Sequence, residues 1–254
     1  MVADAVIYHP AVSHYLKFVA TTVGRDKTLR TIQYFSRFLA WYTLRTNHAQ
    51  STVNVFDNVK KNFGSVRKAM RLGKFVEHFK AAALAADSRD MDPVLRFLAV
   101  GRQLGYAVYL SLDAIAYFDQ SGIWKLKEGA RIQREAYRAW LAGLLCNIVA
   151  GVYTLYNQKV QMKQHEESAD VEKAVELKKL VRYADTTGER RGTAWRLILD
   201  SAQNAARLQL LSDVCDATVP SAATGLVNFD EGIVGLAGTV SSLIGLTAQW
   251  EKTA

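Results

Sequence analysis

Two long segments without formal charge most constrain how this chain folds. They run from Ala139 to Gln158 (AWLAGLLCNIVAGVYTLYNQ) and from Gly232 to Trp250 (GIVGLAGTVSSLIGLTAQW). At about 1.5 Å per residue, a helix of either length matches a hydrocarbon layer roughly 30 Å thick. Trp140 would then lie near a membrane interface, as would Trp250. The alternative, that both are core helices of a soluble protein, stays open at this point.

Both segments carry a stripe of small or hydrogen-bonding residues at helical spacing. The stripes are Ala139, Gly143, Asn147 and Gly151 in the first segment and Gly235, Gly238, Ser242 and Gly245 in the second. Small residues let helices approach closely in a membrane. We therefore expect these stripes to pack the two segments on each other, or to join copies of the protein into a homo-oligomer.

The basic residues are concentrated in the first half of the chain. Residues 1–138 carry 21 basic and 11 acidic side chains, residues 139–216 carry 10 of each, and the whole chain has a net charge of +8. By the positive-inside tendency, the basic half and both termini are expected on the cytosolic side, with residues 159–216 facing the lumen. The predicted organisation is a basic helical region (1–138), a transmembrane helix (139–158), a charge-balanced helical loop (159–231) and a second transmembrane helix (232–250).

The fold class predicted from these features is an all-α membrane protein. Turn residues are sparse, with only 3 Pro in 254 residues, which favours a helical bundle. A first helix is expected to end at Gly24, with Asp26 capping the next one. Within residues 159–231 a solvated amphipathic helix is expected near Glu172, Glu176 and Lys179, and another at about 193–215. The bundle thus has one basic amphipathic helix and about two transmembrane helices.

The basic amphipathic helix is predicted at about residues 54–86. The run VKKNFGSVRKAMRLGKF mixes six Lys or Arg with large apolar residues and contains no acidic residue. Its spacing places apolar side chains on one face and cations on the other, as in a helix lying on a membrane surface. The apolar face changes near Gly73, which predicts a hinge there. The predicted lipid-binding residues are Lys60, Lys61, Phe63, Val66, Arg67, Lys68, Met70, Arg71, Lys74, Phe75 and Phe79.

A basic helix of this kind also suits a nucleic acid or a partner protein. The uncharged segments favour anionic membrane lipids as the partner of the basic helix, because a nucleic-acid-binding protein has little need of residues 139–158. We therefore expect no nucleic-acid partner.

The sequence shows no pattern of catalytic residues. Cys146 and Cys215 suggest no disulfide framework, and the five histidines lack metal-ligand spacing. We expect no enzyme, no cofactor and no metal site. Asp113, in an apolar stretch of the helix that Pro93 begins, is interpreted as a hydrogen-bonded structural carboxylate rather than a proton carrier.

The stretch FVATTVGRDKTLRTIQYFSRFLAWY, residues 18–42, resembles the N-terminal signature of the peroxin eleven family of peroxisomal membrane proteins, closest to its fungal members. The residues that carry the resemblance are Gly24, Arg25, Asp26, Lys27, Arg30, Gln33 and Tyr34. The stretch YLSLDAIAYFDQSGIWK, residues 109–125, is similar to the family's central segment. The resemblance implies a peroxisomal membrane protein that elongates the membrane before division and recruits the fission machinery.

Three functions remain in view. In the first, the basic amphipathic helix inserts into the cytosolic leaflet and bends the membrane. In the second, which the resemblance also allows, the protein forms a pore for small metabolites, with Asp113 as a candidate pore residue. In the third, the protein is purely a scaffold for division factors and has no effect on protein-free lipid.

Overall fold

The computed structural model describes the backbone of residues 8–179 and 187–254, and the side chains of residues 8–164 and 202–254. Within these residues the chain is all-α, as predicted, with eight helices. They are α1 (Pro10–Ala20), α2 (Thr22–Arg45), α3 (Gln50–Met70), α4 (Phe75–Asp87), α5 (Pro93–Gln120), α6 (Gly129–Lys179), α7 (Thr187–Thr224) and α8 (Glu231–Lys252).

The break between α1 and α2 lies at Thr21, so the predicted boundary at Gly24 is wrong. Thr21 has an extended backbone, and its hydroxyl accepts a hydrogen bond from the Gly24 amide at 2.9 Å. This is the usual way in which a threonine caps a helix. Gly24 is buried inside α2, and Asp26, which was expected to cap the helix, uses its carboxylate in an ion pair described below.

The predicted amphipathic helix at 54–86 is two helices, α3 and α4. The chain breaks at Gly73, whose φ of +79° is a left-handed conformation that a glycine adopts without strain. The hinge expected there is therefore present. Together the two helices extend from Gln50 to Asp87, a few residues beyond the predicted limits.

The two uncharged segments lie inside longer helices, α6 and α8. In the described part of the chain, Gly129–Gln164 and Glu231–Lys252 are long and apolar enough to cross a membrane by length and composition. Only 17% and 33% of their most apolar windows are buried. A core helix of a soluble protein would be mostly buried, so this exposure favours the membrane interpretation. The helix expected at 193–215 lies within α7, and the side chains of Glu172, Glu176 and Lys179 lie outside the described residues.

Six of the helices form a closed ring in which each packs against its neighbours. The order around the ring is α2, α3, α5, α6, α7 and α8, after which α8 returns to α2. The α3–α5 contact is the narrowest of the six, α4 packs on α5, and α1 lies against α2. Helices far apart in the sequence thereby surround one common interior.

The ring places polar groups inside and many apolar groups outside. Its buried polar residues include Arg30, Arg67, Asp113, Asp216 and Ser242. Its exposed apolar residues occur on every ring helix, for example Phe35, Val66, Ile115, Val149, Leu211 and Leu236. A soluble protein buries such apolar side chains, whereas a membrane protein presents them to lipid.

The small-residue stripe of α8 packs on α2 rather than on α6. A Cβ placed on Gly235 would lie 2.7 Å from the Phe38 backbone nitrogen, and one on Gly238 would lie 2.2 Å from the Tyr34 ring. Gly245 lies in the same way against the Lys27 side chain, and the Ser242 hydroxyl donates to a backbone carbonyl of its own helix. These glycines permit a close approach of the two helices.

The stripe of α6 packs on two helices, α5 and α7. Gly143 meets Gly105 of α5, where the Ala139 carbonyl also lies close. One turn further, the Asn147 amide donates to Asp213 of α7, and Gly151 lies against Leu210. The stripes of the two apolar helices therefore do not contact each other, because α7 lies between α6 and α8.

The contacts of α7 change the expected position of residues 202–216. Asp213 contacts Asn147 at the middle of the first uncharged segment, and the Ser212 and Asp216 side chains both lie on Ser241, at the middle of the second. If these two segments cross a bilayer, this part of α7 lies at the same depth. The described residues of the loop predicted for the lumen are thus packed between the two apolar helices.

We predict that Gly235→Ala weakens the α2–α8 contact. The added methyl group meets backbone atoms of Phe38, which cannot move aside without shifting a helix, so the free energy of unfolding should fall by about 1–3 kcal/mol. Thermal unfolding in detergent, followed by circular dichroism, measures this as a lower Tm.

Gly151→Ala is the matched control for this prediction. Its methyl group would meet only the Leu210 side chain, whose nearest atom is the Cδ1 tip at 3.3 Å, and alanine favours the helix by about 1 kcal/mol. An unchanged or higher Tm is expected. Equal losses in the two variants would contradict the close contact between α2 and α8.

Candidate functional site: a charged cavity inside the helix ring

A partly open polar cavity of about 450 Å³ lies between the ring helices. All six ring helices contribute to its wall, as does α4. Seven Lys or Arg side chains and four Asp side chains line it, an excess of three positive charges. The cations are Lys27, Arg30, Arg67, Lys68, Arg71, Lys74 and Arg102, and the carboxylates are Asp26, Asp113, Asp213 and Asp216.

Ion pairs in the wall join helices that are distant in sequence. Arg67 of α3 pairs with Asp26 of α2 at 2.9 Å and also donates to Gln33 at 2.7 Å. Arg30 of α2 forms an ion pair with Asp216 of α7. Charges removed from water in this way must be paired to be tolerated. Each pair therefore fixes the position of one helix against another.

Asp113 receives two cations. Its carboxylate lies 2.9 Å from Arg71 and 3.2 Å from Lys68, and the residue is 3% exposed. The Arg71 guanidinium also lies over the Tyr109 ring, 5.8 Å from its centroid. The structural role predicted for Asp113 agrees with these contacts. The sequence did not indicate that its partners would come from the basic run.

The structure turns part of the predicted lipid-binding set toward the interior. Arg67, Lys68, Arg71 and Lys74 line the cavity, and Phe75 packs against the hydrophobic core. We expected these cations to face lipid phosphates. In the structure, the first three pair instead with carboxylates of α2 and α5. Such carboxylates lie far away in the sequence, which is why the run itself looked unpaired.

The rest of the predicted set lies elsewhere on α3 and α4. Lys60 pairs with Asp57 at 2.7 Å, Lys61 is exposed, and Phe63 and Met70 are half-buried. Val66 and Phe79 are 47% and 46% exposed. The helix thus buries much of its cationic face and turns apolar side chains outward. Contact of these side chains with lipid stays a prediction.

The signature residues on α2 reach the same cavity. Asp26, Lys27, Arg30, Gln33 and Tyr34 all line it. Their spacing of three or four residues puts them on one helix face. Nothing in the sequence showed that this face meets the basic run.

The two remaining signature residues stabilise the junction of α1 and α2. The Arg25 side chain donates to the Val19 carbonyl at 2.6 Å. Gly24 lies so close to the Phe18 carbonyl that a Cβ there would be 2.2 Å away. These two residues therefore position the start of α2, and with it the charged residues that follow.

Several cavity residues were missed by the sequence analysis. Asp213 and Asp216 lie on α7, and Arg102 lies on α5 above the Tyr106 ring. Charges inside otherwise apolar stretches were the available signal, since such charges face the interior of a bundle or a partner.

Electrostatics in the cavity favour added negative charge. Burial and the neighbouring Arg30 guanidinium lower the pKa of Lys27 from 10.5 to about 8. Burial alone would raise the pKa of Asp26, but the adjacent Arg67 outweighs it and holds that pKa below its ordinary value. The arginines thus keep the Asp26 carboxylate ionised, and they disfavour the positive charge on Lys27.

Comparison with known proteins assigns the family. The family model for peroxisomal biogenesis factor 11 (PEX11) matches residues 12–250. This chain belongs to the PEX11 family. The resemblance expected from residues 18–42 is thereby confirmed.

Relatives of this PEX11-family chain align over nearly its whole length. Peroxisomal membrane protein PMP30A of Candida boidinii is 27% identical and covers 100% of this chain and 99% of its own. Peroxisomal membrane protein PMP27 of Saccharomyces cerevisiae is 27% identical and covers 100% of both chains. Peroxisomal biogenesis factor 11 of Schizosaccharomyces pombe is 23% identical, covering 97% and 98%. No solved structure matches the chain.

The family is one of peroxisomal membrane and biogenesis factors, not a known family of enzymes. In the described part of the chain no group of three or more His, Cys, Asp or Glu is placed to hold a metal ion. Cys146 and Cys215 are free thiols. The cavity is a candidate binding site or a structural feature of the helix ring.

We predict that Lys27→Met stabilises the protein at pH 7. The substitution removes a charge whose burial is unfavourable, so the free energy of unfolding should rise by about 1–3 kcal/mol. Below pH 8 the gain is complete. It shrinks between pH 8 and 10.5, because there the folded lysine has lost its proton while the unfolded one keeps it. Thermal unfolding at pH 7 and pH 10 measures the difference.

Lys61→Met is the control for this prediction, because Lys61 is exposed on α3. A change within about 0.5 kcal/mol is expected for it. A loss of stability in the Lys27 variant at pH 7 would contradict the proposed cost of burying the Lys27 charge.

Proposed function

We propose that this PEX11-family chain remodels the peroxisomal membrane by inserting the outward apolar face of α3 and α4 into the cytosolic leaflet. Insertion into one leaflet enlarges it relative to the other, which favours positive curvature, elongation and then division. The outward apolar face of these two helices is the observation that carries the proposal. Family membership supports the biological setting.

The apolar face is extensive enough for reversible insertion. Six large apolar residues of this region are between 42% and 59% exposed: Val55, Val66, Leu72, Val76, Phe79 and Leu84. A fully buried side chain of this size contributes about 1.5–3 kcal/mol, and partial insertion contributes less. The sum is sufficient for surface binding that the apolar helices α6 and α8 reinforce.

The cations of the same region support the proposal, but not through the contacts with lipid phosphates that the sequence predicts. Arg67 and Arg71 bind carboxylates of the ring, so they hold α3 on the bundle rather than on lipid phosphates. Lys61 and Lys80 remain exposed for contact with anionic lipids. The inserted face is thereby attached to a rigid body, which suits a wedge.

Orientation and partners form part of the same proposal. We carry forward cytosolic termini, self-association and recruitment of the fission machinery. The small-residue stripes support packing inside one chain, so copies would associate through other outward faces.

A pore for small metabolites is the second candidate, and the cavity is the specific observation that favours it. Residues from all six ring helices line the cavity, and its wall includes Tyr137 and Trp140 of α6 and Ile244 and Gly245 of α8. A path through the bundle would be selective for anions, because its lining carries excess positive charge.

We predict that Val66→Asp or Phe79→Asp abolishes tubulation of anionic liposomes by the reconstituted full-length protein. Each change places a charge where an apolar side chain must enter lipid. Electron microscopy of the proteoliposomes counts tubules per vesicle. Both variants should keep the helical circular dichroism signal, because these side chains are about half exposed.

The matched control is Ser65→Asp, which adds the same charge at an exposed position next to Val66. It should tubulate liposomes as the unmodified protein does. Spherical vesicles with the unmodified protein would defeat the insertion mechanism, and so would equal tubulation by all three variants.

For the pore we predict that Asp113→Asn makes conductance in planar bilayers more selective for anions. The change releases Lys68 and Arg71 from their carboxylate, so the reversal potential in a salt gradient should shift toward that of the anion. Glu128→Gln, in an exposed pair with Arg131, should leave it unchanged. A protein without conductance in either form would exclude this candidate.

A further inference from the structure

We propose that the cavity is a binding site for a phosphate-bearing anion. The wall offers a fixed set of cationic and hydroxyl donors in a volume suited to a small ligand, since ligand pockets typically enclose about 300–1,000 Å³. This site is distinct from the outward lipid-facing surface of α3 and α4, and it does not require that the protein conduct ions.

The charge balance of the wall is the first argument. Of its seven cations, Arg30, Arg67, Lys68 and Arg71 pair with three of the four carboxylates. The other three, Lys27, Lys74 and Arg102, have no carboxylate partner within ion-pair distance in the described part of the chain. Buried or half-buried cations without a counter-charge are unfavourable, and a bound dianion would offset this cost.

Unsatisfied donors are the second argument. The Nε atoms of Arg71 and Arg102 are buried and have no hydrogen-bond partner among the described residues. Both side chains line the cavity. A buried N–H group without an acceptor is unfavourable, and guanidinium groups bind phosphate oxygens with good geometry.

Neutral donors complete the set. Tyr34, Tyr106, Tyr109 and Tyr137 also line the cavity and carry phenolic hydroxyls. Burial raises the pKa of Tyr109, so its hydroxyl keeps its proton. Protonated hydroxyls and guanidinium groups together form a donor-rich wall, which suits a ligand that only accepts hydrogen bonds, as a phosphate dianion does.

The fourth carboxylate, Asp213, is held by amide groups rather than by a cation. Asp213 accepts from Asn147 and from Gln209, the latter at 3.0 Å, and has no cation within ion-pair distance in the described chain. Amide donors thus hold it in place and leave the cations free to face a ligand. The phosphate is therefore expected nearer to Arg102, Lys27 and Arg71 than to Asp213.

The test measures binding to the full-length protein in detergent and in nanodiscs. In the soluble arm, isothermal titration calorimetry follows inorganic pyrophosphate against a chloride buffer of equal ionic strength. In the lipid arm, binding of the protein to nanodiscs that contain phosphatidic acid is compared with its binding to nanodiscs of phosphatidylcholine alone. Binding in the first arm identifies a soluble phosphate compound as the ligand, and binding in the second arm alone identifies a lipid headgroup.

Arg102→Gln should weaken binding at least ten-fold in whichever arm binds. Arg138→Gln removes an equal charge from an exposed pair outside the cavity and should leave the affinity unchanged. Lys27→Gln should raise the Tm of the free protein and weaken binding at the same time, a combination that misfolding does not produce. No binding in either arm, or equal binding by the Arg102 and Arg138 variants, would overturn the proposal.

Discussion

The fold depends on buried ion pairs that connect helices distant in the sequence. Arg30 joins α2 to α7, Arg67 joins α3 to α2, and Arg71, directly after α3, binds Asp113 of α5. Because an unpaired charge in such an interior is costly, each arginine accepts only an arrangement that brings its carboxylate to it. These pairs therefore select one order of helices around the ring, which nonspecific apolar contacts alone would not do.

The same ion pairs explain why the molecule has a polar interior and an apolar exterior. Once the charged faces of α2, α3, α5 and α7 point inward, the opposite faces turn outward with their apolar side chains. In water this arrangement would expose a large apolar surface, whereas a membrane accommodates it. Assignment to the PEX11 family, whose relatives are named as peroxisomal membrane proteins, agrees with this reading.

The amphipathic region has two roles in this arrangement. Its cations hold α3 against the bundle, and its apolar side chains form an outer face that we propose to enter the cytosolic leaflet. A wedge attached to helices that are long and apolar enough to cross a bilayer would transmit its insertion to the whole protein. The interior that its cations help to build carries excess positive charge, and the proposed phosphate site follows from that excess rather than from the outer face.

The sequence by itself determined the helical class, the two long uncharged segments, the break at Gly73 and the family signature. These are local properties: charge-free length, the spacing of apolar residues and the freedom of glycine can all be read within one helix. Only the tertiary structure decided that the signature on α2 and the basic run on α3 line one cavity, and that α7 lies between α6 and α8. The partners Asp26, Asp113 and Asp216 lie between 41 and 186 positions away from their arginines along the chain. Coulomb attraction acts through space, so a cationic run that looks unpaired along the chain finds its counter-charges only after the helices have packed.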